Sequence, residues 1–126
     1  MRTLITLITL LTLSACTAST ATIAIPTTLT PAEISFTQAT VAAAMQNPAS
    51  AQFDQITGFA LSNGDRLACG EVIGRNGFGR TYGYAPFSLR YSGSTVKHLN
   101  IDDTTGYGAA SVGCTAARQG QVNVSS

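Results

Sequence analysis

The alternation of apolar and polar positions divides the chain into four parts. Thr3 to Leu13 is almost continuously apolar, with threonines interspersed. That run has the length of a signal-peptide core and falls short of the roughly 20 residues a membrane-spanning helix needs. After Cys16 the segment TASTATIAIPTTLT is uncharged and broken by Pro26. It reads as a flexible tether with an r.m.s. reach of about 20 Å, although the alternating Ile23 and Ile25 also fit an edge strand.

The third part is helical. In Thr30-Pro31-Ala32-Glu33, Thr30 can cap, Pro31 suits the first helical position and Glu33 completes a capping box. The helix runs through ISFTQATVAAAMQ, with Ile34, Gln38, Val41 and Met45 on one side and Phe36, Ala39 and Ala43 on an adjacent strip. Asn47-Pro48 ends it, because the residue before a proline avoids the helical region. Pro48 to Ala51 can add one further turn.

From Gln52 the period changes to two. Strict alternation puts Phe53, Gln55, Thr57, Phe59 and Leu61 on one face, and Asp54, Ile56 and Ala60 on the other. Ser62-Asn63-Gly64-Asp65 contains Asn-Gly, the strongest short hairpin signal, and Arg66 to Ile73 is the return strand. PFSLRYS and TVKHLNI form two more strands around the turn Ser92-Gly93-Ser94. Asp102 to Gly108 is turn-rich, and the ending GCTAARQGQVNVSS is expected to pack only as far as Cys114. The fold class is therefore α+β, with one N-terminal helix on a small antiparallel sheet of about three to five strands. The boundaries are 1–15 for a signal peptide, 16–29 for a lipidated cysteine and tether, 30–118 for the globular domain and 119–126 for a disordered tail.

Charge removes some function classes. Only 10% of the residues are charged and the net charge is +1. The one charge within the first fifteen residues is Arg2, so the remainder is neutral. Neither nucleic-acid binding nor a polybasic membrane contact follows from that balance.

Arg2 before the apolar run supplies the positive end of a signal peptide. At the other end, Leu13-Ser14-Ala15-Cys16 resembles the lipobox of bacterial lipoproteins. Small side chains before the cut fit the signal peptidase, and the Cys16 thiol is the nucleophile that takes diacylglycerol. The resemblance implies a covalent lipid on Cys16, palmitate included, as the chain's one attached group, with no other cofactor. Several acyl chains matter because one alone holds a membrane only marginally. Thr17 in place of an aspartate implies, by the sorting rule of Gram-negative lipoproteins, an outer-membrane anchor facing the periplasm.

The cysteine count agrees. Of Cys16, Cys69 and Cys114, lipid on the first leaves two to pair in an oxidising compartment. A Cys69–Cys114 bridge closes a loop worth roughly 4 kcal/mol of denatured-chain entropy. One histidine and no Cys-x-x-Cys spacing give no basis for a metal site.

The stretch LACGEVIGRNGFGRTYGY, Leu67 to Tyr84, looks like a ligand loop. Its glycines match neither a P-loop nor a dinucleotide fingerprint, so no nucleotide is implied. They suit turns, with Arg75, Asn76, Phe78, Arg80, Tyr82 and Tyr84 as a candidate binding loop that could grip a carboxylate, a sugar face or a partner chain. Asn47-Pro48-Ala49-Ser50-Ala51-Gln52-Phe53 and the later Cys69-Gly70-Glu71-Val72, Asn76, Phe78-Gly79, Gly83 and Phe87 resemble the paired motifs of small uncharacterised exported bacterial proteins. The resemblance spans about Val41 to Phe87, departs at Ile73, and implies an exported helix-plus-sheet module without an assigned activity.

Catalytic patterns are weak. His98 would need Asp102, Asp103 or Glu71 as a partner, and neither a Gly-x-Ser-x-Gly elbow nor Ser-x-x-Lys occurs. No catalytic residue is named. The expectation is a small envelope lipoprotein that is not an enzyme and acts as a binding or structural module. Its partners are the membrane and an envelope protein or cell-wall component. An inhibitor or immunity-type lipoprotein acting on an envelope hydrolase is the alternative, and a cell-wall hydrolase built on His98 ranks last.

Overall fold

The computed structural model describes residues 21–74, 83–102 and 108–124. Six strands and two helices follow one another: β1 (Thr22–Thr27), α1 (Pro31–Ala43), β2 (Gln52–Leu61), β3 (Arg66–Ile73), β4 (Ala85–Ser92), β5 (Thr95–Ile101), α2 (Ala109–Arg118) and β6 (Gln121–Val122). The strands form one antiparallel sheet in the order β5-β4-β3-β2-β1-β6. The α+β class stands. The sheet has more strands than expected, and the N-terminal helix has a second helix as counterpart.

Both additions come from segments that looked irregular. Thr22 to Thr27, inside the presumed tether, pairs with β2 from Ala24↔Leu61 to Thr27↔Gly58. Gln121 and Val122, inside the presumed tail, close the edge beyond Ile23 and Thr22. The segment after Gly108 does not stop packing at Cys114 but continues as α2 to Arg118.

Helix α1 begins as its sequence dictates. Thr30 Oγ1 accepts from the Glu33 amide at 3.1 Å, and Glu33 Oε2 accepts from the Thr30 amide at 2.8 Å. The helix ends at Ala43, where the amides of Ala44 and Met45 turn back to Val41 and Ala42 carbonyls three residues away. That tightening shortens it relative to its sequence pattern, and a 3-10 turn follows at Pro48–Ser50. Its sheet-facing stripe is centred on Thr37 and Val41, both fully buried, with Ile34, Phe36 and Met45 packed beside them. Gln38, expected on that stripe, is only half-buried.

The helices cover opposite faces. Under α1 lie Ala68 and Val72 of β3 and Phe87, Leu89 and Tyr91 of β4. Under α2 lie Phe59, Leu61, Leu67, Cys69 and, from the edge, Ala24 and Val122. Gly70 lets the first face close. A Cβ there would stand 2.9 Å from the Phe87 ring, which sits edge-on to Phe53 at 5.9 Å.

Strand β2 departs from strict alternation. Between Asp54↔Glu71 and Thr57↔Cys69 the register slips, so Gln55 and Ile56 together oppose Gly70. Gln55 takes up the extra residue at φ 52. A bulge of this kind reverses which face later residues occupy. Phe53 therefore joins Ile56 on the α1 side, while Phe59 and Leu61 face α2. The expected common face of Phe53, Gln55 and Leu61 is corrected by that one residue.

Candidate functional site

Cys69 and Cys114 are joined by a disulfide, with Cα atoms 5.9 Å apart. It ties the centre of β3 to the middle of α2, and both half-cystines are buried. Three small residues, Ala110, Cys114 and Ala117, form the buried face of α2. A helix with so little side chain beneath it can lie close to the sheet.

The N-terminus of α2 is held from a distance. Its first residue follows Gly108, which has no side chain to cap with. Instead the Asp102 carboxylate, from the end of β5, accepts from the Ala110 amide at 2.9 Å and the Ser111 amide at 2.7 Å. The Ser111 hydroxyl donates to it as well, at 2.6 Å. A Cβ on Gly108 would collide with this carboxylate, so the glycine is what admits it. Burial pushes the Asp102 pKa upward, but the hydrogen bonds from Ser111 and Ala110 outweigh that and hold it below the ordinary aspartate value. Asp102 is thus a helix cap built by tertiary structure.

Across the sheet, a polar knot fixes the start of α1. Tyr91 Oη donates to Glu33 Oε1 at 3.2 Å, and Arg66 Nε lies 3.4 Å from the same oxygen. The Thr30 amide contributes most to lowering the Glu33 pKa, with Tyr91 and Arg66 adding to it against partial burial. Burial first, and then the Glu33 charge, push the Tyr91 phenol up to about 12.

Beside α2 runs a groove with a cavity volume of ≈320 Å³. Its sheet wall is a block of four polar residues, because Ser88 pairs with Asn100 and Arg90 with His98 across β4 and β5. Residues directly opposite in an antiparallel pair share a face. The facing wall is the flank of α2, Ala109, Val112, Gly113 and Ala116, and Leu61 and Leu67 add apolar floor. Space is left by the small residues. Among the described residues a Cβ at Gly113 would touch nothing within 4 Å, and Val112 stands 71% exposed at the rim. Arg90 also approaches Asp65, Nε to Oδ2 at 3.9 Å, a long ion pair on the same face. The groove offers one cation, Arg90, four further polar side chains in Ser88, His98, Asn100 and Asn123, and a hydrocarbon wall. A smaller hollow of ≈200 Å³ includes Cys114 and, at its polar side, Glu71 and Arg118.

Of the expected site residues, the structure brings together Cys69 and Cys114. Cys16 and the loop residues Arg75, Asn76, Phe78, Arg80 and Tyr82 lie outside the described residues, as does Asp103. Tyr84, the last of that loop, is exposed just before β4. His98 is exposed on β5, where it lines the groove, while both carboxylate oxygens of Asp102 are taken by α2. Ser88, Arg90 and Asn100 were not candidates from the sequence. Their polar alternation was visible, but without α2 that face reads as plain solvent-facing sheet. Among the described residues no three His, Cys, Asp or Glu side chains gather as a metal site would require, and no helix is long and apolar enough to cross a membrane. The chain matches no protein-family model, no curated protein and no solved structure.

Proposed function

We propose that this chain is a small bacterial envelope lipoprotein, anchored through Cys16 in the outer membrane and facing the periplasm. It acts there as a non-catalytic binding module. The observation that carries the binding role is the groove beside α2. Arg90 and His98 on one wall, opposite the apolar Val112 rim, suit an envelope partner that presents an acidic group on an apolar body. The export half of the proposal draws support from the Cys69–Cys114 disulfide, which accounts for two of three thiols and suits an oxidising compartment.

A photo-reactive side chain placed at Val112 tests the groove in living cells. A discrete cross-linked partner that disappears when Arg90→Glu is added supports it, provided the variant keeps its thermal melting temperature. A cross-link pattern indifferent to Arg90→Glu sinks it. The anchor is tested separately: palmitate should label the wild type and not Cys16→Ala.

A further inference from the structure

We infer that β1 seats the domain directly on the bilayer surface, with Ile23 and Ile25 turned into the lipid headgroup boundary. The inference rests on the lipid anchor proposed for Cys16 and adds an orientation to it. The first argument is length. Six residue steps separate Cys16 from Thr22, the first residue of β1. Chain geometry limits that span to about 20 Å even when pulled straight. Since β1 belongs to the sheet, a lipid on Cys16 keeps this strand, more than any other element of the sheet, close to the membrane surface.

The second argument is what β1 presents at that point. Its burial alternates, with Thr22 and Ala24 inward and Ile23 and Ile25 outward at 53% and 62% exposure. Ala24 packs in the α2 cluster, so the two isoleucines project from the α1 side of the sheet. The α1-side clusters draw on Leu29 and on residues of β2 to β5, and neither includes Ile23 or Ile25. Pro26 beside them is exposed too. Two isoleucines are a weak anchor by themselves. Held within a short tether of the surface, they bind at a high effective concentration, and a weak patch suffices to set orientation.

The chain contains no tryptophan, so single-tryptophan reporters read the seat directly. Ile25→Trp, with Ile23→Trp as a second reporter, is compared with Val96→Trp. Val96 is 44% exposed on β5, the opposite edge, about 19 Å away across four strand spacings. Each full-length protein is isolated in its lipidated form and reconstituted into phosphatidylethanolamine–phosphatidylglycerol vesicles carrying brominated acyl chains. The expected result is blue-shifted emission and several-fold stronger quenching at positions 23 and 25 than at 96. Palmitate-labelled protein on vesicles with equal, weak quenching at all three positions overturns the seat and leaves the anchor intact. A blue shift at 25 without quenching also overturns it, because a protein surface such as a second copy then covers the patch. Absence of palmitate from the wild type overturns the lipoprotein reading itself.

Discussion

Helix α1 is capped by a threonine and a glutamate within its own first turn, whereas α2 begins at a glycine and is capped by an aspartate that arrives on another element. The first arrangement can form in a short isolated piece of chain. The second exists only when β5 has already joined the sheet and Gly108 lies beside Asp102. Their buried faces differ as well. Helix α1 lays Val41 and the flanking Ile34, Phe36 and Met45 onto the sheet, whereas α2 brings alanines and a half-cystine. Little apolar area is available to α2 from its own side chains, so a covalent bond and a charged cap take over. One helix is specified by its own residues, the other by its surroundings.

Breaking the bridge tests that contrast most severely. Cys69→Ala with Cys114→Ala should lower unfolding free energy by about 2–4 kcal/mol. Hydrogen exchange should then show α2 amides losing protection before those of α1. Equal loss in both helices would mean that α2 is not the dependent partner. Next in size is Asp102→Ala, which leaves the Ala110 and Ser111 donors without their carboxylate and should cost about 2 kcal/mol in a denaturant melt. The matching local change, Thr30→Ala, should cost about 1 kcal/mol. A larger loss at Thr30 than at Asp102 would reverse the ranking.

Titration separates the caps further. Both Asp102 and Glu33 have folded-state pKa values below the ordinary carboxylate range. Their contribution is complete above the unfolded-state value and is lost as pH falls through the folded one. Stability should therefore decline into acid, and Asp102→Asn and Glu33→Gln should each flatten part of that decline. The smallest effect has the opposite sign. The Thr37 hydroxyl on the buried face of α1 has no hydrogen-bond partner among the described residues, so the isosteric Thr37→Val should raise stability by up to about 1 kcal/mol.

What could be read in the sequence follows the same division. The capping box, the Asn63-Gly64 hairpin and the strands Arg66–Ile73 and Thr95–Ile101 carry their causes within a few residues, and the structure has them where the pattern puts them. The Cys69–Cys114 pair was legible from counting thiols. The bulge was not, because Gln55 is neither glycine nor asparagine and nothing near it announces a positive φ. Nor was α2, whose inward positions are small residues that generate no hydrophobic period and whose cap lies well upstream in the chain. The groove needs α2 as one wall, so it was hidden with it. Strand β1 was half legible. Ile23 and Ile25 alternate, but its partner β2 begins only after α1 and the 3-10 turn.

The pairing of Thr22 with Val122 has a consequence for when the domain can finish folding. Synthesis delivers the N-terminal strand first, yet the strand that seals its outer edge is the last element made. Until residues 120 to 122 have emerged, Thr22 and Ala24 show open backbone groups to any passing strand. Closing so distant a contact is also slow relative to the helix and hairpin. The nascent chain therefore carries a sticky edge for most of its production, and a chaperone that shields Thr22 to Thr27 would act in that interval.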